Sequence, residues 1–121
     1  MPLNGPDALQ GAPDRTRVGA SCSDVPLDDG YLLQYLPGQF TLLIINVDSE
    51  GLSNVDGVAL HTLSLTTAVN DPSGALQERY LGVAASAVYL IRPDQHVAAR
   101  WDRFDPTAVR SAMRTALGKE G

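Results

Sequence analysis

The sequence is short of the residues that carry covalent and metal chemistry. Its 121 residues include one cysteine, Cys22, and two histidines, His61 and His96. A single thiol cannot form an internal disulfide, and dithiol redox chemistry needs a second cysteine one helical turn away. No close spacing of His, Cys, Asp and Glu supplies the third and fourth ligands of a metal site. We therefore expect no disulfide framework, no dithiol oxidoreductase and no metal centre.

Cations and long apolar runs are also scarce. Nine Lys and Arg stand against fourteen Asp and Glu, which gives a formal net charge of −5. Nucleic-acid and anionic-membrane surfaces need clustered cations, whereas these are scattered along the sequence. The apolar runs are no longer than a strand, and residues 1–7 lack the basic and apolar regions of a signal peptide. We expect a cytoplasmic protein without a nucleic-acid or membrane partner.

Proline and glycine are concentrated at the start of the chain. Residues 1–20 contain three prolines and three glycines, a composition that interrupts regular elements. This pattern predicts an extended arm or linker over 1–20, followed by one domain over 21–121. The size and composition of the whole chain suit a single hydrophobic core.

The rest of the sequence predicts alternating strands and helices. In chain order the predicted elements are a helical turn over 31–36, a buried strand over 40–46, a small helix over 52–58, a strand over 59–66, a helix over 75–81, hairpin strands over 87–92 and 96–101, and a C-terminal helix capped by Asp105. The order is β-α-β-α-β-β-α, with parallel crossovers first and an antiparallel hairpin last. It predicts a thioredoxin-like α/β fold with a mixed central sheet and an irregular N-terminal arm.

The hairpin turn is the most diagnostic local feature. Pro93 presets φ for the second position of a type I turn, and Asp94 can bond the neighbouring backbone. Arg92 and Arg100 flank the turn, and we expect them to straddle Asp94 as structural ion pairs rather than as an anion clamp. The roles of all four residues are therefore predicted to be structural.

A second feature is apolar. Tyr31, Leu32 and Tyr35 lie in a short turn next to the arm. An exposed apolar surface at this turn would suit docking to a partner domain or to a second copy of the chain. They are our predicted interface residues. We identify no catalytic, cofactor-binding or metal-binding residue in the sequence.

Three stretches resemble one enzyme family. They are Gly11-Ala12-Pro13-Asp14, residues 36–43 (Leu-Pro-Gly-Gln-Phe-Thr-Leu-Leu) and residues 91–100 (Ile-Arg-Pro-Asp-Gln-His-Val-Ala-Ala-Arg). Together they resemble the thioredoxin-like C-terminal domain of class A FAD-dependent aromatic monooxygenases, the group of phenol hydroxylase and polyketide hydroxylases. Family sequences often have arginine where Gly11 stands and tryptophan where Ala99 stands.

The resemblance has functional implications. In such enzymes FAD, NAD(P)H and substrate belong to other domains, and the C-terminal domain packs against them or contributes to dimerisation. This chain has no Gly-x-Gly-x-x-Gly of its own, so the resemblance implies a non-catalytic domain that binds no cofactor. Its expected partners are the FAD and substrate domains of a hydroxylase or a second copy of itself.

Two other interpretations remain open. The same fold could serve as a stand-alone protein-binding module without redox activity. A weaker alternative is a peroxiredoxin-type or glutathione-dependent enzyme, but such an enzyme would have its thiol after the first strand, whereas Cys22 precedes it.

Overall fold

The computed structural model describes residues 5–11, 13–36, 38–49 and 51–118. In chain order the strands are β1 (Asp7–Ala8), β2 (Pro26–Leu27), β3 (Gly30–Tyr31), β4 (Thr41–Ile45), β5 (Asn54–Val55), β6 (Val58–Ala59), β7 (His61–Leu65), β8 (Ala87–Ile91) and β9 (Val97–Trp101). The helical elements are α1 (Thr67–Asn70), α2 (Pro106–Ala116), 3-10 turns over Asp14–Thr16 and Leu32–Tyr35, and a π-helical turn over Gln77–Leu81.

Five of the strands form one mixed sheet, in the order β1-β9-β8-β4-β7. β4 pairs in parallel with β7 and antiparallel with β8, and β8 pairs antiparallel with β9. The predicted mixed α/β class and the predicted C-terminal hairpin are therefore confirmed.

The two central strands are apolar on both faces because both faces are covered. All five residues of β4 and all five of β8 are buried. Leu43 and Tyr89 face one core cluster, while Leu42 and Leu90 face a second cluster that contains the apolar side of α2. An uninterrupted apolar run without alternation is what such a strand requires.

The C-terminal helix begins and ends where local chemistry predicts. Asp105 is its N-cap and accepts a hydrogen bond from the Thr107 amide at 3.0 Å, and Pro106 occupies the first helical position. Proline is favoured there because the amide it lacks would have no partner within the helix. Val109 and Met113 lie on the buried face of α2.

The small helix predicted over 52–58 is wrong. This segment forms the hairpin of β5 and β6, joined by Asp56 and Gly57 with φ of 50° and 83°. Two consecutive residues in the left-handed region are typical of a type I′ hairpin turn, for which Asp-Gly is a preferred pair. The crossover from β4 to β7 therefore contains a β-hairpin in place of a helix.

The arm lies along the outer edge of β9. The Gly5 amide donates to the Ala98 carbonyl at 2.6 Å, and the Arg100 amide donates to the Pro6 carbonyl at 3.0 Å. After a loop over the sheet, the arm returns to the same strand, where the Val97 amide donates to the Ala20 carbonyl at 2.9 Å. The described part of the arm thus adds the fifth strand to the sheet instead of leading away from it.

Candidate functional site

A buried polar cluster around Arg100 ties the arm to the sheet. The Arg100 side chain is 6% exposed. Its Nε donates to Oδ1 of Asp7 at 2.5 Å, and its Nη1 donates to the Pro13 carbonyl at 2.9 Å and to Oγ1 of Thr16 at 3.3 Å. Tyr89 lies opposite Arg100 in the β8–β9 register. We call Asp7, Thr16, Tyr89 and Arg100 the arm clamp.

The arm clamp continues into the π-helical turn. The Thr16 hydroxyl donates to the Arg79 carbonyl at 2.7 Å, and the Tyr89 hydroxyl donates to the Tyr80 carbonyl at 2.5 Å. The Tyr80 hydroxyl in turn donates to the Ser23 carbonyl at 2.5 Å. Burial raises the pKa of both phenols, so both are protonated donors at neutral pH. One hydrogen-bond network therefore joins the arm, the sheet and the helical turn.

The position of Arg100 corrects the prediction that it straddles Asp94. The residue opposite Arg100 is Tyr89, four residues before Pro93, and its side chain lies under the arm. Burial by itself would lower the pKa of Arg100, but its bonds to Asp7 and Tyr89 outweigh burial and raise the pKa. The guanidinium is therefore charged, and it binds residues of the arm instead of residues of the turn.

The turn itself has the local bonds that its sequence favours. The Gln95 amide donates to the Arg92 carbonyl at 2.9 Å and closes a four-residue turn with Pro93 in its second position. Arg92 Nε lies 3.3 Å from Oδ1 of Asp94, and the same oxygen accepts from the His96 amide at 3.2 Å. Burial is the largest single influence on the pKa of Asp94 and raises it, but the bonds and charges of Arg92 and His96 together outweigh burial and lower this pKa.

Substitutions in this turn should have small effects of opposite sign. Pro93→Ala and Asp94→Ala remove the preset φ and the local bonds, and each should lower the free energy of unfolding by about 1 kcal/mol. Gln95 has a φ of 65°, so Gln95→Gly should instead raise stability by roughly 0.5 kcal/mol. Urea denaturation measures all three. A loss above about 3 kcal/mol for either alanine variant would contradict this local, structural role.

The predicted interface residues differ in how far they are buried. Tyr31 is 55% exposed, whereas Leu32 is fully buried in the core cluster that contains Leu43. Leu32 therefore cannot present an apolar face to a partner, because the 3-10 turn directs it inward. Tyr35 is partly exposed, and its hydroxyl donates to the Asp29 carbonyl. A contact surface at Tyr31 and Tyr35 stays a prediction.

A shallow cavity of about 240 Å³ lies next to Tyr35. Its lining residues come from the β2–β3 turn, from β7 and from the end of α1: Leu27, Asp28, Asp29, Tyr35, Leu63, Leu65 and Asn70. The side-chain amide of Asn70 donates to Asp28 at 2.8 Å and fixes one wall. The cavity holds an apolar floor and a polar rim, but none of its residues forms a nucleophile–base pair.

The single thiol is held in its protonated form. Cys22 is half-buried and packs against the core cluster, and this burial raises its pKa to about 12. The thiolate is the reactive species, so such a thiol is a poor nucleophile at neutral pH.

Alkylation should reveal this environment. At pH 8, Cys22 in the folded chain should react with iodoacetamide at least about a hundredfold more slowly than in urea, because its thiolate fraction is suppressed. The unfolded chain is the matched control for total thiol. Equal rates in the two states would show that Cys22 is exposed and ionisable.

The described residues offer no arrangement for a metal ion. His61 lies on β7, the edge strand, and Nδ1 of His96 lies 3.2 Å from the Asp94 carbonyl. No three His, Cys, Asp or Glu side chains in the described ranges group as metal ligands. Within the same ranges, every helix is too short or too polar to cross a membrane.

Comparison with solved structures finds the same fold in larger enzymes. The sequence matches no protein-family model and no curated protein. The structure matches the flavin-dependent monooxygenase PieE, solved with FAD and substrate, with a TM-score of 0.70 and 24% identity over 98% of this chain. The fold resembles that of one region of this monooxygenase. The matched region is only 24% of the PieE chain.

A second structure gives the same picture. Aklavinone-11 hydroxylase, solved with FAD and aklavinone, matches with a TM-score of 0.53 and 24% identity. The match covers 79% of this chain and 20% of that enzyme. In both comparisons the chain spans about a quarter or less of the FAD-binding protein that it resembles.

Proposed function

We propose that this chain is a non-catalytic C-terminal domain of an FAD-dependent aromatic-compound monooxygenase, or a free-standing relative of that domain. The observation that carries the proposal is the match to PieE, in which 98% of this chain superimposes on 24% of the enzyme. The family resemblance of residues 11–14, 36–43 and 91–100 supports the C-terminal position. The partners we propose are the FAD and substrate domains of such an enzyme or a second copy of this chain.

We also propose that the fold is a thioredoxin-like variant. The four long strands lie in the order β9-β8-β4-β7, with a parallel pair formed by the first two in sequence and an antiparallel hairpin formed by the last two. This order supports the assignment. The departure is the β5–β6 hairpin, which stands where a thioredoxin has its first helix.

That departure bears on cofactor binding. A dinucleotide pyrophosphate binds where a glycine-rich turn after a strand leads into a helix N-terminus. Among the described residues after β4, the chain leads into the β5–β6 hairpin instead, so this chain does not fit FAD. In the proposed parent enzyme, FAD and NAD(P)H are held by the other domains.

The arm clamp gives the domain a mechanical role. The described part of the arm is hydrogen-bonded along β9 and fixed by Arg100. In a larger enzyme, such an anchored segment would set the orientation of the domain relative to the preceding one.

A domain exchange tests the proposal. The region of PieE that matches this chain is replaced by residues 5–118, and FAD content after purification is compared with that of PieE lacking the region. We expect the exchanged enzyme to retain FAD and the truncated one to aggregate or lose it. An exchange carrying Arg15→Gln, an exposed arm residue, is a matched control and should behave as the unaltered exchange. Equal FAD retention with and without the domain would contradict a packing role.

One observation supports the alternative of a stand-alone protein-binding module. Tyr31 is exposed, and β7 is the edge of the sheet with one side unpaired by another strand. Edge strands can accept an added strand from a partner.

The peroxiredoxin-type alternative is disfavoured, because the thiol of Cys22 is kept protonated by burial.

A further inference from the structure

A cavity of about 600 Å³ opens beside the arm, on the side of the π-helical turn. We call it the arginine cavity because Arg15, Arg17 and Arg79 line it, together with Ser21, Ser23 and Asp24. We propose that the arginine cavity binds the phosphate groups of a small anionic ligand.

The charge at this cavity is unusual for the chain. The whole sequence has a net charge of −5 and nine Lys and Arg, yet three arginines meet here. Arg17 has an exposed ion pair with Asp14, 3.4 Å between Nη1 and Oδ2, and the same Nη1 donates to the Asp14 carbonyl at 3.1 Å. Arg15 and Arg79 take part in no ion pair found among the described residues. Two cations without an ion pair in the described part of the chain, Arg15 and Arg79, therefore line the same cavity, and this favours an anion there.

Arg79 is held in place before any ligand arrives. Its Nη1 donates to the Asp24 carbonyl at 2.5 Å, and its own carbonyl accepts the Thr16 hydroxyl of the arm clamp. Its Nε is buried and has no hydrogen-bond partner within the described residues. The buried Nε is out of reach of a ligand in the open cavity, but the fixed position of the guanidinium prepares its Nη atoms for an acceptor that brings several oxygens.

The lining matches phosphate better than a single carboxylate. A phosphate group offers three acceptor oxygens, and the guanidinium forks and the hydroxyls of Ser21 and Ser23 are suitable donors. Asp24 opposes an anion, but its Oδ1 already accepts the Leu33 amide at 3.0 Å. Three arginines against Asp24 and Asp14 leave one net positive charge beside the cavity, which offsets part of the charge of a phosphate dianion. The cavity is wide open to solvent, so its arginines and hydroxyls, and not enclosure, would select the ligand.

Titration calorimetry of the full chain at low salt tests the proposal, with sodium pyrophosphate as the probe. We expect saturable binding that Arg15→Gln and Arg79→Gln each weaken by about tenfold. Arg79→Gln removes the bond to Asp24, so its fold is checked by circular dichroism. Arg15 is exposed and unpaired, so Arg15→Gln should stay folded. It therefore still tests the proposal if Arg79→Gln unfolds. Arg110→Gln, on the exposed side of α2, is the matched control and should bind as the unaltered chain does.

Parallel titrations with inorganic phosphate, ADP and polyglutamate distinguish the sources of the anion. If ADP binds more tightly than pyrophosphate, the proposal holds with an organic phosphate as the ligand. If pyrophosphate binds more tightly than ADP, the proposal holds with an inorganic phosphate as the ligand. Absence of binding by either at about 5 mM would overturn it. Equal binding by Arg15→Gln and Arg110→Gln would also overturn it. Tighter binding of polyglutamate than of all phosphates would replace it by an acidic protein partner.

Discussion

Removal of residues 1–19 should unfold or aggregate the chain at room temperature. The deletion takes away β1, the buried Leu9, and the Asp7 and Thr16 members of the arm clamp. It also exposes the edge of β9, which is prone to pairing with other chains. Loss of the buried leucine, the ion pair and the edge bonds amounts to at least about 5 kcal/mol, comparable to the whole stability of a small domain.

Circular dichroism melts and sedimentation velocity measure this effect. Arg15→Gln in the complete chain is the control and should keep the original melting temperature, because its side chain is exposed and unpaired. A synthetic peptide of residues 1–19 added to the truncated chain should restore part of the cooperative transition. A truncated chain that is monomeric and melts like the complete one would restore the initial prediction of a separable linker.

Arg100→Leu should cause the largest loss of any single substitution in the arm clamp. Leucine fits a buried position, but Asp7 then lacks its cation, and the Pro13 carbonyl and Thr16 lack a donor. Removing one member of a buried pair typically costs 3–5 kcal/mol, and since Asp7 is 37% exposed we expect about 3 kcal/mol.

The size of this effect is read from urea denaturation with Arg110→Leu as the surface control. Asp7→Asn keeps an acceptor for Arg100 and should lose only about 1 kcal/mol. The backbone amide at position 100 donates to the Pro6 carbonyl, and hydrogen exchange should show that it exchanges faster in the Arg100→Leu variant than in the unaltered chain. If Arg100→Leu is as stable as the control, the arm is held by its backbone bonds alone.

Local chemistry was sufficient to predict the central elements. The apolar runs of β4 and β8 are identifiable as buried strands without knowledge of the strands that pair with them. The pair Asp105-Pro106 likewise marks the start of α2 from the local sequence alone. The β5–β6 hairpin was missed although Asp56-Gly57 is a strong turn signal, because the segment is too short for its apolar period to be decisive.

The arm clamp could not be predicted in the same way. Arg100 and Asp7 are 93 residues apart, and each looks like an ordinary surface charge until the parallel β1–β9 pairing brings them together. One signal was present: Arg100 stands between Ala99 and Trp101 inside a buried strand. A charged residue in such a run is rarely buried without a partner, so the sequence itself implies an acidic partner for Arg100.

Titration of FAD into the purified chain tests the central claim most directly. Flavin fluorescence and the visible spectrum after dialysis report binding, and PieE freed of its flavin serves as the positive control. We expect all flavin to be lost on dialysis, because reversible contact of the FAD diphosphate with the arginine cavity would not survive it. A yellow protein with one FAD per chain would contradict the proposal that this chain is a non-catalytic domain of a flavin-dependent monooxygenase.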